Sequence, residues 1–312
     1  MLLLTVLIMK KEMQVAMLIH NPTAGDEEHK KDKLIELIEA EGFQCRYSST
    51  KKKDWEEIED DVDFIIIAGG DGTVRKVVKE ILKRDSTEKD IPLALLPLGT
   101  ANNFAKTLGI PLEPKKIIAS LKTSKIKSID IGRIYNIEES NFFLESFGFG
   151  IFPYLMQVMK KREEEYDSPE AEVQGALKKL HEIILKYESR KCKLEIDDTD
   201  HSGEFILAEI MNTKSIGPNL VLAPLNDPGD GELEVVLIPE KQKEKFIECI
   251  FCLIQGKQEN FQFYTLQAKK INISWQGTHA HVDDKILKLE ENKEIKLEIK
   301  PGILNFMVPA EE

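Results

Sequence analysis

Ala68-Gly69-Gly70-Asp71-Gly72-Thr73-Val74 follows directly on the apolar run Phe64-Ile65-Ile66-Ile67. The run reads as a buried strand. After the turn, Val74, Val77, Val78 and Ile81 recur at i, i+3, i+4 and i+7, the stripe of an amphipathic helix. A strand, a turn with three glycines and a helix start make an anion site. Glycines let backbone N–H groups approach a phosphate, and the helix N-terminus adds partial positive charge. An aspartate beside bound phosphates needs a task of its own: holding Mg²⁺, orienting a hydroxyl or accepting its proton. The plain alternative is a tight turn in which Asp71 caps a helix.

The neighbouring segments repeat this grammar. Residues 15–19 read as a buried strand that ends in Asn21-Pro22-Thr23-Ala24-Gly25. Residues 27–41 carry a helical stripe of Leu34, Leu37 and Ile38, and residues 43–47 read as another strand. Residues 93–96 form a fourth, ending in Pro97-Leu98-Gly99-Thr100-Ala101-Asn102-Asn103-Phe104-Ala105. Alternating strands and helices predict βαβ units on a parallel sheet, where ligands bind at the carboxyl ends of strands. All three polar, Gly-containing loops fall at such ends. Past residue 130, strand patterns dominate, from residues 142–147 to residues 295–299 and 303–308, with Gly, Asn, Asp and Pro between them. That predicts an antiparallel sandwich, interrupted by helical segments at about 153–188 and 240–255.

The 312 residues are 42% hydrophobic, enough for two domains with real cores. A net charge of −12 argues against a nucleic-acid partner, because phosphate repels such a chain. Four cysteines, Cys45, Cys192, Cys249 and Cys252, follow no disulfide or zinc pattern and suit a reducing cytoplasm. Cys249 and Cys252 sit in an apolar segment and read as part of a buried helix, ahead of a redox or metal pair. The apolar run at residues 1–9 is too short for a membrane span, and Lys10 and Lys11 follow it where a signal peptide places charge first. It reads as an extension before an ordered domain that starts near Met13; a weak membrane-contacting tail stays open.

Asn21-Pro22-Thr23-Ala24-Gly25, Gly69-Gly70-Asp71-Gly72-Thr73 and residues 97–111, in this order and spacing, resemble the catalytic domain of the diacylglycerol kinase and sphingosine kinase family. The likeness is greatest to its soluble bacterial lipid kinases. Asn212, Gly217, Ala223-Pro224 and residues 230–235 match the second domain's pattern less tightly. NAD kinases share the glycine motif, but the other segments favour the lipid kinases. The resemblance implies an α/β protein. A doubly wound nucleotide-binding domain would span 13–132, and a β-sandwich lipid domain 133–304, with residues 305–312 free to return to the first. Asn21, Pro22, Thr23, Ala24, Gly25, Gly69, Gly70, Asp71, Gly72, Thr73, Gly99, Thr100 and Asn102 would hold ATP, with Ser49 a weaker candidate. Asp230, with backbone carbonyls near Asp227 and Glu232, matches the family's structural Mg²⁺ site, or else forms a hairpin turn. The implied enzyme is cytoplasmic and peripheral to a membrane. It acts on a lipid hydroxyl of diacylglycerol or sphingoid type, and a homodimer stays open.

Two departures stand out. Where the bacterial family places its base in an Asp-Gly-Glu motif, this chain reads Asp283-Asp284-Lys285, with a cation at the glutamate position. The base is then Asp283, Asp71 or a histidine. In a strand, His279, His281 and Asp283 share one face, so the trio offers His281 as a base or forms a metal site. Solvated strand histidines are the plain reading. The glycine motif continues as Val74-Arg75-Lys76 where the family has Asn and Glu. Two cations there oppose the helix dipole, so they are expected to be solvated or to meet phosphates. Lys285 keeps open a non-catalytic nucleotide- or lipid-binding relative, and an NAD kinase is the other enzyme. Residues 147–152, rich in Phe and Gly, read as core packing or as the lining of a lipid pocket.

Overall fold

The structure is a computed structural model that describes residues 13–25, 29–84, 89–161, 166–257 and 261–310. The apolar run at residues 1–9 and the charged residues 162–165 lie outside the described residues. The first half runs β1 (Val15–His20), α1 (Lys31–Ala40), β2 (Gln44–Ser49), β3 (Phe64–Gly69), α2 (Asp71–Ile81), β4 (Leu93–Pro97), α3 (Asn103–Thr107) and α4 (Pro114–Ser120). Its strands are parallel in the order β2-β1-β3-β4, with Ile19 opposite Ile67 and Ile67 opposite Leu95. Every residue of β1, β3 and β4 is buried, as expected of inner strands of a parallel sheet covered on both faces. Only β2, at the edge, mixes polar and apolar positions. Strand order reverses between β1 and β3. That opens a crevice at their carboxyl ends, the place where such sheets bind ligands.

The second half contains β5 (Lys125–Tyr135), β6 (Phe142–Phe143), β7 (Ser146–Gly150), α5 (Ile151–Lys160), α6 (Pro169–Lys186), β8 (Arg190–Ile196), β9 (Thr199–Asp200), β10 (Gly203–Met211), β11 (Ser215–Ile216) and β12 (Leu220–Val221). It continues through β13 (Leu233–Pro239), α7 (Lys243–Ile254), β14 (Tyr264–Ala268), β15 (Lys270–Trp275), β16 (His279–Val282), β17 (Lys285–Lys288) and β18 (Ile295–Val308). These strands pair antiparallel around one core in which Phe149 stacks on Trp275. β10 shows why so many apolar residues occur in a row. Phe205, Ala208 and Ile210 face the sandwich interior, while Ile206, Leu207 and Met211 lie under α5, α6 and α7. Residues 147–152 are divided between these two cores, so Phe147, Phe149, Ile151 and Phe152 are packing residues. Cys249 and Cys252 lie buried in α7.

Three elements differ from the sequence pattern. Residues 142–147 are two strands with a break at Leu144 and Glu145, whose amides are used elsewhere. The segment expected to be helical at 153–188 holds two helices, α5 and α6. The last two expected strands are one, β18, with a register shift between Lys300 and Leu304 against β5. The buried carboxylate of Asp130 stabilises that shift by accepting the Gly302 N–H at 2.7 Å, and it also accepts the Gly231 N–H at 2.7 Å. Both glycines have positive φ, which a side chain would strain. Past the shift, β18 lies beside β4, with Phe306 opposite Leu93, so a single sheet runs through both halves.

Candidate functional site

The three loops meet at the carboxyl edge of β1, β3 and β4. The Asn21 N–H donates to the Ala68 carbonyl at 2.9 Å, and its side-chain amide donates to Thr73 Oγ1 at 3.3 Å. The Leu98 N–H donates to the Gly69 carbonyl at 3.0 Å. Asn102, in the left-handed region at φ 52°, accepts from the Gly99 N–H at 2.9 Å and donates to the Gly99 carbonyl at 2.7 Å. Asparagine tolerates that backbone better than most residues.

The loops wall a cleft of about 940 Å³, lined by Asn21, Thr23, Ala24, Gly25, Gly70, Gly72, Thr73, Gly99, Thr100 and Asn102. Four expected residues are not on its wall. Gly69 ends β3, and Ser49 is buried and accepts the Lys51 N–H at 3.3 Å. Pro22 faces an adjoining hollow beside His20 and Tyr47. Asp71 points away from the cleft. Its two carboxylate oxygens accept the N–H groups of Asn103 at 3.0 Å and Phe104 at 3.2 Å, at the start of α3. It therefore caps a helix, α3, rather than its own.

The motif glycines are also packing residues. A Cβ on Gly99 would lie 2.5 Å from the Gly70 Cα, and one on Gly72 would lie 2.8 Å from Asp284 Oδ2. The first contact joins two loops of the parallel half. The second brings the β16–β17 turn against the first turn of α2.

Residues that the sequence reading left out also line the cleft: His29, Thr50, Lys51, Leu112, Pro169 and Glu170, beside Lys76, which it had named. Thr50 and Lys51 follow β2, so the rule that placed the other loops also reaches them. Pro169 and Glu170 open α6, and Glu172 on the same turn accepts a hydrogen bond from Thr100 Oγ1 at 2.8 Å. No local signal announced that helix as part of the rim.

Arg75 and Lys76 behave differently from each other. Both were expected to be solvated or to meet phosphates, yet Arg75 is buried at 4% exposure. Its Nε donates to Asp283 Oδ2 at 2.5 Å, and Nη2 donates to Ser140 Oγ and the Phe142 carbonyl at 2.8 and 3.2 Å. Lys76 is exposed; its Nζ donates to the Thr50 carbonyl at 2.8 Å and lies 4.6 Å over the Trp55 ring.

Asp283 sits at φ 49°, in the turn after β16, so the alternation that would put it on one face with His279 and His281 ends at Val282. Its carboxylate accepts the N–H groups of Leu144, Glu145 and Ser146 at 3.1, 2.8 and 3.1 Å, besides Arg75. The group is saturated and ties the turn both to α2 and to the break between β6 and β7.

His281 is not solvated; it is 1% exposed. Nε2 lies 2.9 Å from the buried Glu209 carboxylate, and Nδ1 lies 3.1 Å from the Asp283 carbonyl. Burial alone would lower its pKa, but the charge and hydrogen bond of Glu209 hold it above the ordinary 6.5. A raised histidine pKa contributes stability that is complete below 6.5 and is lost as pH rises through the folded value. The stability difference between wild type and Glu209→Gln, measured by urea unfolding, is therefore expected to shrink above pH 6.5. A pH-independent difference would contradict the ionised pair.

Around the expected Mg²⁺ site of Asp230 and nearby backbone carbonyls, the neighbouring acids are paired. Asp227 pairs with Lys127 at 2.6 Å, and Glu232 faces Lys269 at 3.5 Å. Asp230 accepts the Glu232 N–H at 3.0 Å, and its N–H donates to the Asp227 carbonyl at 3.2 Å, as in a turn. Among the described residues no three His, Cys, Asp or Glu side chains converge on a metal position. The side chains of Asp227 and Glu232 are thus paired with lysines, which leaves the Asp230 carboxylate and the nearby backbone carbonyls as the expected set.

No helix among the described residues is long and apolar enough to cross a membrane. Residues 15–134 match the diacylglycerol kinase catalytic domain, and residues 158–308 match the YegS C-terminal NAD kinase beta sandwich-like domain. A "Probable lipid kinase YegS-like" of Stenotrophomonas maltophilia (strain K279a) is 32% identical over 263 residues, covering 82% of each chain. The "Diacylglycerol kinase" of Bacillus subtilis (strain 168) is 27% identical over 281 residues, 84% of this chain and 87% of that one. The crystal structure of a diacylglycerol kinase from Bacillus anthracis str. Sterne superposes with a TM-score of 0.70 at 20% identity. It covers 96% of this chain and 98% of its own, and shows the same fold. With its glycine loops gathered on one sheet edge and both halves matched, the chain belongs to the family of diacylglycerol kinases and YegS-like lipid kinases.

Proposed function

We propose that the protein transfers the γ-phosphate of ATP to the hydroxyl of a membrane lipid of diacylglycerol or sphingoid type. The observation that carries this reading is the cleft at the reversal of strand order, walled by all three glycine-containing loops. Backbone N–H groups around Gly70, Gly72 and Gly99 would meet the phosphates, and Lys51 and Lys76 on the wall would add positive charge. Phosphoryl transfer asks mainly for positioning and charge neutralisation, and such a wall supplies both. Mg²⁺ would enter with the nucleotide as part of the MgATP substrate. The acceptor would come from a membrane surface on the side of the β-rich half.

A second reading, a relative that binds nucleotide or lipid without transferring phosphate, has one observation in its favour. Both Asp71 oxygens, the whole Asp283 carboxylate and both His281 ring nitrogens are already hydrogen-bonded within the protein.

The test is transfer of ³²P from MgATP to diacylglycerol or sphingosine in mixed micelles. Labelled lipid supports the kinase; ATP binding with no labelled lipid supports the second reading. Lys76→Ala is expected to raise KM for ATP about tenfold, the worth of one charged hydrogen bond. Since Lys76 would bind ground and transition states alike, kcat should hold. An unchanged KM would place the triphosphate elsewhere.

A further inference from the structure

One buried acid at the junction of the two halves is left without a hydrogen bond. Glu145 lies in the break between β6 and β7, and its backbone is fully committed. Its N–H donates to Asp283 Oδ1 at 2.8 Å, and its carbonyl accepts the Asn212 N–H at 2.8 Å and Thr213 Oγ1 at 3.4 Å. The residue is only 9% exposed, and among the described residues no hydrogen bond reaches its carboxyl group. Its oxygens are not among the fully buried side-chain atoms that lack a partner, so the carboxyl keeps a narrow opening to solvent.

The surroundings point to a reacting group. The Glu145 N–H donates to Asp283, and its carboxyl lies within charge range of Asp71, Arg75, Asp283 and Asp284. The Asp283-Asp284 turn closes on Gly72, a wall residue of the nucleotide cleft. The loop after β10, which holds the Glu145 carbonyl, also reaches α3: Ser215 Oγ donates to Asn103 Oδ1 at 2.8 Å. The acid thus sits where the β-rich half meets the phosphate end of the cleft. Asp71 and Asp283 are satisfied there, and Asp284 is exposed.

We infer that Glu145 is the general base of the phosphoryl transfer, in place of the glutamate that Lys285 displaces. This rests on the kinase reading above. The lipid oxygen forms a bond to the γ-phosphorus, and the bond from that phosphorus to the β–γ bridging oxygen breaks. ADP departs with the electron pair, and the hydroxyl proton passes to the Glu145 carboxylate and then to solvent. Burial, followed by the charges of Asp71, Asp283 and Asp284, raises the Glu145 carboxyl well above the ordinary carboxylate range; Arg75 pulls the other way. Lys106 acts on Asp71. A carboxylate raised in this way is a stronger proton acceptor near neutral pH.

The deciding experiment compares wild type, Glu145→Gln and Glu145→Asp in the micelle assay across pH 5.5 to about 9. ATP affinity and thermal midpoint are measured alongside. Glu145→Gln should lower kcat by about 10²- to 10⁴-fold, leave ATP affinity unchanged and abolish the acid limb of the rate profile. Glu145→Asp should retain that limb at a reduced rate. At pH 8 the amide should fold at least as stably as wild type, because it removes an acid whose ionised form is disfavoured. Should Glu145→Gln fail to fold, the acid limb of Glu145→Asp decides: kept, it supports the base, and absent, it overturns it. Full activity in Glu145→Gln, or reduced activity with the acid limb intact, overturns the assignment and leaves the kinase standing. A wild type that binds ATP but labels no lipid overturns both.

Discussion

Asp283→Ala should destabilise the protein by about 3–5 kcal/mol, the usual result of removing one member of a buried ion pair. The side chains of Arg75 and Asp283 are 5% and 1% exposed. Truncation leaves a guanidinium in the interior and three amides, from Leu144, Glu145 and Ser146, without an acceptor. Such a loss is a large share of a typical stability of about 5–15 kcal/mol. Urea unfolding gives the value directly. The double variant Arg75→Met/Asp283→Ala should lose less than the sum of the two single changes, because it removes the stranded cation. A loss below about 1 kcal/mol for Asp283→Ala, as for an exposed pair, would show that the two halves are not joined through this contact. The result also bears on mechanism, since a carboxylate whose oxygens are taken by Arg75 and three amides is poorly placed to take up a proton.

Gly99→Ala tests the nucleotide cleft with a single methyl group. Its Cβ would lie 2.5 Å from the Gly70 Cα and 2.9 Å from Asn102 Oδ1. The first neighbour is backbone, so the two loops must separate. A shift of about 1 Å in groups that position a substrate costs on the order of 10²-fold in rate. kcat/KM for ATP is therefore expected to fall by about that factor. The thermal midpoint should move less than for Asp283→Ala, because overpacking typically costs about 1–3 kcal/mol. Steady-state kinetics and calorimetric ATP binding check both statements. Unimpaired ATP binding by Gly99→Ala would mean that the loops after β3 and β4 do not grip the phosphates together.

Much of this arrangement was legible in the chain. Continuous apolar runs marked β1, β3 and β4, because inner parallel strands are buried on both faces. The valines of α2 recur at helical spacing, and Val74, Val77 and Val78 are buried. Loops after parallel strands emerge at one edge, so three separate motifs could be assigned to one crevice. Other features depended on partners far along the chain. Arg75 looked like a solvated cation, yet its counter-ion lies 208 residues away. His281 looked solvated because period-two alternation tells which residues share a face, not whether water reaches that face. The lysines that pair with Asp227 and Glu232 come from β5 and from just before β15, so the turn at Asp230-Gly231 could not announce them.

The division follows from the range of the forces. Glycine freedom, strand alternation and helical periodicity act over a few residues, so the amino-acid order alone determined the parallel sheet, its glycine loops and the β-rich second half. Desolvation and charge pairing depend on what folding brings alongside. Only the tertiary structure could decide that Asp71 caps α3, that Asp283 is consumed by Arg75 and three amides, and that α6 closes the rim at Thr100. Among the described residues it also left the Glu145 carboxyl without a hydrogen bond. The reason is that a carboxylate's chemistry is set by its hydrogen bonds and its distance from water, and neither is written in its neighbours along the chain.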